Sequence, residues 1–535
     1  MRPSYLFAKT AILLYAQSAL AVNSLVKLDY TSYQGVSLRN GITQWLGMRY
    51  AQRPIGNLRF AAPRDPLTHS DVQDATKNGK ICLSTPGGVD STHDEDCLFI
   101  SVYSPSSATN TSKLPVYFFV QGGGFNTNSN ANYNGTGLIE ASGDNIVVVN
   151  FNYRVGPYGF LASKEVSAGG AINNGLLDQR KALKWVQKYI TNFGGDPGHV
   201  VLGGDSAGAA SVTLQLTAPN ENLFHATAAE SQSFASIRTV SESQYQYDNL
   251  VQRASCNGTS DTLACLRSLS ETDLQKVNIN TPTPGAQDAP LYMYGPVIDG
   301  TIVSDYTYAA FRKGNFIKVP AIFGDDTNEG TIFAPKGTNT LDDSNRFLKD
   351  QFANLTADQL SNIDKFFPVD GTPTFPNSGR YWRQCANAYG ELRYICPGIY
   401  LNGIYANNSL PAWNYHWNVI DPTDNSTGYG VKHTVEVNAI WGPQYVTGGP
   451  PASYQQGGSN YGIVAVVQGY WTSFIRSYDP NTYRKDGTPE WEKWTKQNAY
   501  ARLMFQTNNT HMEVVPSDQQ TRCGYLSSLA DDLRQ

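Results

Sequence analysis

The chain has 535 residues, 40% of them hydrophobic and 12% aromatic, and a formal net charge of −5. With that charge and no Lys/Arg cluster there is nothing to attract nucleic acid, and no apolar run reaches the roughly 18 residues of a membrane span. Length alone suggests several domains, but no linker, repeat or low-complexity tract divides the sequence, so one large core is expected.

Met1 to Ala21 sets Arg2 and Lys9 before an apolar run, Ala11 to Leu20, that ends in small residues. This reads as a secretory signal cleaved after Ala21, with residues 22–535 forming a single domain. The C-terminal SSLADDLRQ has neither an apolar tail nor a retention signal, so a secreted protein without a stable membrane anchor is expected. The sequence has 7 cysteines, which an oxidising compartment would join in disulfides with one left over. Sequons at Asn110, Asn134, Asn257, Asn354, Asn407, Asn425 and Asn508 suit a glycosylated surface.

From Leu25 to Pro66 the sequence reads as short strands turning at Gly35 and Gly41. Val116–Val120, Ile146–Phe151, Val200–Leu202 and Val319–Phe323 are continuous apolar runs, as expected of parallel strands covered on both faces. Between them, Leu177–Phe193 places Leu183, Val186, Ile190 and Phe193 on one helical stripe and stops at Gly194-Gly195-Asp196-Pro197. Strand and helix alternate, which predicts a doubly wound α/β sheet. Helical patches in Gln244–Gly285, Thr340–Phe366 and Tyr381–Ala406 are excursions over that sheet. The strand Ala412–Trp417 and the helix Val464–Tyr478 return the chain to it.

Three places carry chemistry. Gly204-Asp205-Ser206-Ala207-Gly208 is a G-x-S-x-G pattern between a strand and a helix, the setting of a nucleophile elbow. Gln121 to Phe125, QGGGF, follows the strand Val116–Val120, and its glycines leave backbone N–H groups open to an anion. Combined with the serine elbow, the N–H groups of Gly123, Gly124 and Ala207 make an oxyanion-hole candidate. A serine nucleophile also needs a base and an orienting acid. His199 and His416 lie in strands and His225 in an apolar segment, where structural roles are expected. His433, on the loop GVKHT, follows the serine as the order Ser, acid, His requires, with His511 as its rival. For the acid, the loop after Val319–Phe323 offers Asp325, Asp326 and Glu329, which chain order does not separate.

Taken together, GNLRF (Gly56 to Phe60), EDCLFI (Glu95 to Ile100), QGGGF, NYRVGPYGFL (Asn152 to Leu161), GDSAG, PVIDG (Pro296 to Gly300), NEGTIF (Asn328 to Phe333) and GVKHT (Gly430 to Thr434) resemble the type-B carboxylesterase and lipase family, the cholinesterase-like α/β hydrolases, and most closely the secreted fungal branch. The resemblance runs from about Leu25 to Leu529. It implies an α/β-hydrolase fold, a large and mostly parallel central sheet flanked by helices, with helical excursions over the active site. It implies Ser206 as nucleophile, His433 as general base and Glu329 as the acid, with no metal and no cofactor. Asp205 departs from the family, which usually has Glu before the serine. The resemblance also pairs Cys82 with Cys97, Cys256 with Cys265 and Cys396 with Cys523, leaving Cys385 as a buried thiol. A Cys385–Cys396 bridge is disfavoured on a continuous helix, where eleven residues span about 16 Å.

Between Cys82 and Cys97 the family carries either a lipase lid or a choline-binding tryptophan. Here the segment LSTPGGVDSTHDED is short, polar and free of aromatics. A lid needs an apolar face, and a quaternary ammonium needs an aromatic cage. The expectation is therefore a carboxylesterase acting on a small-molecule ester. A lipase or sterol esterase is the alternative, and a non-catalytic binding protein a more distant one. Oligomeric state is left open by the sequence.

Overall fold

The structure, a computed structural model, describes residues 23–128, 133–370 and 373–535. The expected secretory signal, 1–21, lies outside the described residues. Its centre is an 11-stranded sheet. In chain order the strands are β1 (Val36–Ser37), β2 (Ile42–Arg49), β3 (Phe99–Pro105), β4 (Leu114–Val120), β5 (Val147–Phe151), β6 (Gly195–Asp205), β7 (Ala226–Glu230), β8 (Ala321–Asp326), β9 (Ala412–Trp417), β10 (Ala501–Phe505) and β11 (His511–Val514). Their order across the sheet is β11-β10-β9-β8-β7-β6-β4-β5-β3-β2-β1. From β5 to β10 every pairing is parallel. The antiparallel strands β1, β2 and β3 extend one side and β11 closes the other. With helices on both faces, this is the expected α/β-hydrolase fold.

Two faces of the sheet explain its apolar runs. In β4, Val116, Phe118 and Val120 join a core with Leu183, Val186, Ile190, Val212 and Leu216, from helices α1 (Asn174–Tyr189) and α2 (Ala207–Thr217) and the 3-10 turn Ile190–Phe193 that extends α1. The intervening Tyr117 and Phe119 face the opposite side, where Val467, Tyr470, Trp471 and Phe474 of helix α3 (Tyr461–Ser477) pack. Because successive side chains on a strand alternate, an apolar residue at every position is what a doubly covered strand needs. A third core, around Leu348, Trp382, Leu392 and Leu526, holds the helical excursions together.

Several expected boundaries move by a few residues, and two strands run well beyond their apolar runs. The strand expected at Val200–Leu202 begins at Gly195, because the Gly-Asp-Pro-Gly segment forms an irregularity that still pairs Gly195 with Leu114. The strand expected at Val319–Phe323 is β8, which starts at Ala321 and runs on to Asp326, so Asp325 and Asp326 belong to the sheet and are buried.

Disulfides join Cys82 to Cys97, Cys256 to Cys265 and Cys396 to Cys523, with Cα separations of 4.9, 5.7 and 5.0 Å. Cys385 is a buried free thiol. It sits on one unbroken helical rod made of Trp382–Gly390, a π-helical turn Glu391–Ile395, and Cys396–Asn407. Of the sequon asparagines, Asn110, Asn257, Asn354, Asn407, Asn425 and Asn508 are exposed and Asn134 is half-buried.

Candidate functional site

Ser206 stands at the junction of β6 and α2, with φ 54° and ψ −117°. A non-glycine residue there is strained by about 1–3 kcal/mol, and persists only because its neighbours fix it. They do so by close approach. A Cβ on Gly208 would lie 1.8 Å from the Val120 carbonyl oxygen, and one on Gly204 2.7 Å from that same oxygen. The Ser206 N–H donates to the Glu230 carbonyl at 3.0 Å, tying the turn to β7.

The turn presents the Ser206 hydroxyl to His433, whose Nε2 lies 2.7 Å from Oγ. On the other side of the ring, Nδ1 makes a close hydrogen bond to Oε2 of Glu329. The second oxygen of Glu329 accepts the Asp326 N–H at 2.8 Å. His433 is 6% exposed and Glu329 fully buried. Asn328 couples the two loops: its N–H donates to the Val431 carbonyl at 2.8 Å, and its side-chain oxygen accepts the Val431 N–H at 3.0 Å. Of the three acids offered by the sequence, Glu329 alone meets the imidazole, because Asp325 and Asp326 are still in the sheet. Asp326 and Ser231 instead hold the backbone beyond the ring, accepting the N–H groups of Val435 and Thr434 at 3.2 and 3.1 Å.

Aromatic side chains enclose the ring. Tyr394, on the π-turn, and Phe333 lie 4.4 and 5.0 Å from it, centroid to centroid. Neither carries a sequence signal that separates it from ordinary core residues. The remaining histidines lie elsewhere. His199 stacks on Tyr478, the His225 ring accepts the Val200 N–H, His416 pairs with Glu513, and His511 bonds to the Asn509 carbonyl.

Beside the serine, the loop after β4 turns through Gly123 and Gly124, with φ of 109° and 60°. The N–H of Gly122 is taken by Asp205 Oδ1 at 2.8 Å. The N–H groups of Gly123, Gly124 and Ala207 carry no hydrogen bond among the described residues. Buried N–H groups are nearly always paired, so the open ones of buried Gly124 and Ala207, with that of half-buried Gly123, suit an incoming anionic oxygen. Burial pushes the Asp205 carboxyl up to about 6, against the opposing pull of the Gly122 N–H and of His433. The side chain that departs from the family pattern thus braces the glycine loop.

Among the described residues, one group of potential metal ligands clusters, Glu391 with Cys396 and Cys523. Its two sulfurs are bonded to each other and Glu391 is paired with Arg522 at 2.8 Å, so it offers no open donor set. No described helix is long and apolar enough to cross a membrane.

The chain is similar to known proteins over nearly its whole length. A model of the carboxylesterase family matches residues 23–524. Secreted lipase 4 of Gibberella zeae is 30% identical over 499 residues, which cover 88% of this chain and 86% of that protein. Lipase 1 of Geotrichum candidum is 30% identical over 520 residues, covering 86% and 87%. In three dimensions EstA of Aspergillus niger matches with a TM-score of 0.92 at 43% identity, over 96% of this chain and 99% of that one.

Proposed function

The chain belongs to the carboxylesterase family and is a carboxylic ester hydrolase; we propose that it works through an acyl-enzyme on Ser206, with His433 as general base and Glu329 orienting the imidazole. The observation that carries this reading is the continuous hydrogen-bond line from Ser206 Oγ through both ring nitrogens to Glu329. Nδ1–H, donating to Glu329, holds the ring in the tautomer whose Nε2 is free, and as Oγ attacks the ester carbonyl its proton passes to that Nε2. The carbonyl oxygen, now anionic, is received by the N–H groups of Gly123, Gly124 and Ala207, each worth about 3–4 kcal/mol of barrier in comparable sites. The imidazolium then protonates the leaving alcohol, and water repeats the attack on the acyl-enzyme.

We further propose that Met1–Ala21 is removed on secretion, that 22–535 acts as one catalytic domain, and that the exposed sequon asparagines carry glycans. Support for secretion comes from the leader-like segment and from a relative named as a secreted lipase. Replacing Ser206 by Ala is expected to lower kcat on a short-chain chromogenic ester by on the order of 10⁶, with an unchanged melting temperature. Turnover that survives the substitution, or failure of an organophosphonate to label Ser206, overturns the assignment. The names of the relatives favour a second reading, a lipase. Against it stands the Cys82–Cys97 segment, whose exposed part from Pro86 to Thr92 offers no broad apolar face. A rise in rate once a triglyceride exceeds its solubility decides for the lipase.

A further inference from the structure

Burying a guanidinium is costly unless a carboxylate or several acceptors meet it, so buried arginines ordinarily come with partners. Here Arg59, Arg154, Arg180 and Arg502 are buried and face Glu95, Asp178, Glu221 and Glu513. Arg393 is the exception. It is 8% exposed, and its guanidinium has no ion pair and no hydrogen bond among the described residues, with Nε fully enclosed. The residue lies on the π-helical turn next to Tyr394, which packs on the His433 ring. Its charge is felt at the hydroxyls of Tyr292, Tyr389 and Tyr394.

Arg393 lines a cavity of about 30 Å³ together with Gly124 and Phe125 of the glycine loop, Tyr292, Tyr389 and Arg238. Gly124 is one of the candidate oxyanion donors, and the Tyr292 ring fills the place its Cβ would take. No acidic side chain lines the cavity, whereas two arginines do. A water needs about 10–15 Å³ of such space, so there is room for about two waters or one carboxylate. We propose that Arg393 is a specificity-determining residue that binds a free carboxylate on the ester, so that half-esters of dicarboxylic acids are preferred over neutral esters. This rests on the serine-esterase reading and adds the substrate class. The guanidinium forms a fork–fork pair with the carboxylate, the geometry a lysine lacks.

The test compares mono-4-methylumbelliferyl adipate with its methyl-capped diester, following release of the fluorophore. The ratio of kcat/KM for the charged to the capped ester is expected to fall at least tenfold in R393M, to recover partly in R393K, and to fall with added NaCl in the wild type alone. An unmoved ratio in R393M, or equal losses on both esters, overturns the proposal. If R393M does not fold, the wild type decides: monomethyl adipate should inhibit hydrolysis of the capped ester competitively and dimethyl adipate much less, and equal inhibition counts against it. A wild type that cleaves neither ester refutes the serine-esterase reading itself. One that cleaves both with no dependence on Arg393 refutes only the carboxylate preference.

Discussion

Gly208→Ala adds one methyl group at the point where the serine turn is held, and its effect follows from distances. The new Cβ would lie 1.8 Å from the Val120 carbonyl oxygen, whereas real Cβ contacts essentially never fall below 3.0 Å. The difference, 3.0 − 1.8 = 1.2 Å, must be absorbed by moving α2 away from β4, since both partners are backbone. The N–H of Ala207, the first residue of α2, moves with it, and so does Ser206. A misplacement of about 1 Å in a reacting group costs on the order of 10² in rate, and overpacking of this kind about 1–3 kcal/mol in stability. Gly403→Ala is the matched control, because it lies within the helix Cys396–Asn407 and nothing approaches its Cβ position within 4 Å. That change is expected to leave activity alone and to add up to about 1 kcal/mol through helix propensity. The assay is kcat on a chromogenic ester beside thermal unfolding. Wild-type kcat and melting temperature in G208A would refute the account of how the turn is held.

Asp205→Ala leaves the Gly122 N–H without an acceptor, so kcat is expected to fall about 10- to 100-fold, while Asp205→Asn keeps an acceptor oxygen and retains most of it. In the wild type a carboxyl held up to about 6 is ionised above that pH and favours the nearby imidazolium; removing the charge in D205N should therefore move the acid limb of kcat/KM to lower pH, and an unmoved limb argues against the coupling. Glu230, buried under the Tyr117 hydroxyl and the Trp471 indole, has its carboxyl pushed up to about 8 by burial. Its folded value exceeds its unfolded one, so its contribution is complete below about 4.5 and is lost as pH rises through 8. The melting temperature of Glu230→Gln, relative to wild type, should accordingly rise from pH 5 to pH 8.5, and parallel melting curves would contradict this. Burial pushes the Cys385 thiol up to about 12, so it should resist iodoacetamide in the native protein and react on denaturation; rapid native labelling would show that the helix opens there.

The central strands were legible because a doubly covered strand writes itself as an unbroken apolar run, as Val116–Val120 does. The serine turn was legible because its glycines answer to backbone contacts too close for any side chain. The acid was not legible from residues alone. Asp325, Asp326 and Glu329 differ only in where β8 stops, and strand ends depend on tertiary pairing, here with Ala412–Trp417. Nor was Gly195-Asp196-Pro197-Gly198 readable as strand, since its composition is that of a turn. Arg393 and Tyr394 were invisible for a related reason. In a regular helix they would point elsewhere, and the π-turn that re-aims them leaves no periodicity in the sequence.

Around the His433 loop the protein gathers a group of buried acids. Asp205, Glu230, Asp325, Asp326, Glu329 and Glu436 are all buried at the end of the parallel strands or just beyond it. Burial first, then repulsion from Glu329 and Glu436, drives Asp325 well above the ordinary carboxyl range. Burial and Glu436 do the same to Asp326, and burial raises Glu436. Asp325 and Glu230 each have one oxygen enclosed without a partner, and Asp326 and Glu436 are hydrogen-bonded to each other, arrangements far less costly for a neutral acid than for an anion. Burial pushes these groups toward the neutral form, in which a carboxyl acts as a dipole. The Ser231 hydroxyl joins Glu436 and Asp326 at 3.0 and 3.3 Å and receives the Thr434 N–H, which fixes the backbone carrying His433 without adding charge to it. A set of ionised carboxylates in the same place would favour the imidazolium from several sides and leave less of the ring free to accept a proton. With those acids pushed toward the neutral form, the carboxyls left to act on the ring by charge are Glu329, bonded to Nδ1, and the neighbouring Asp205.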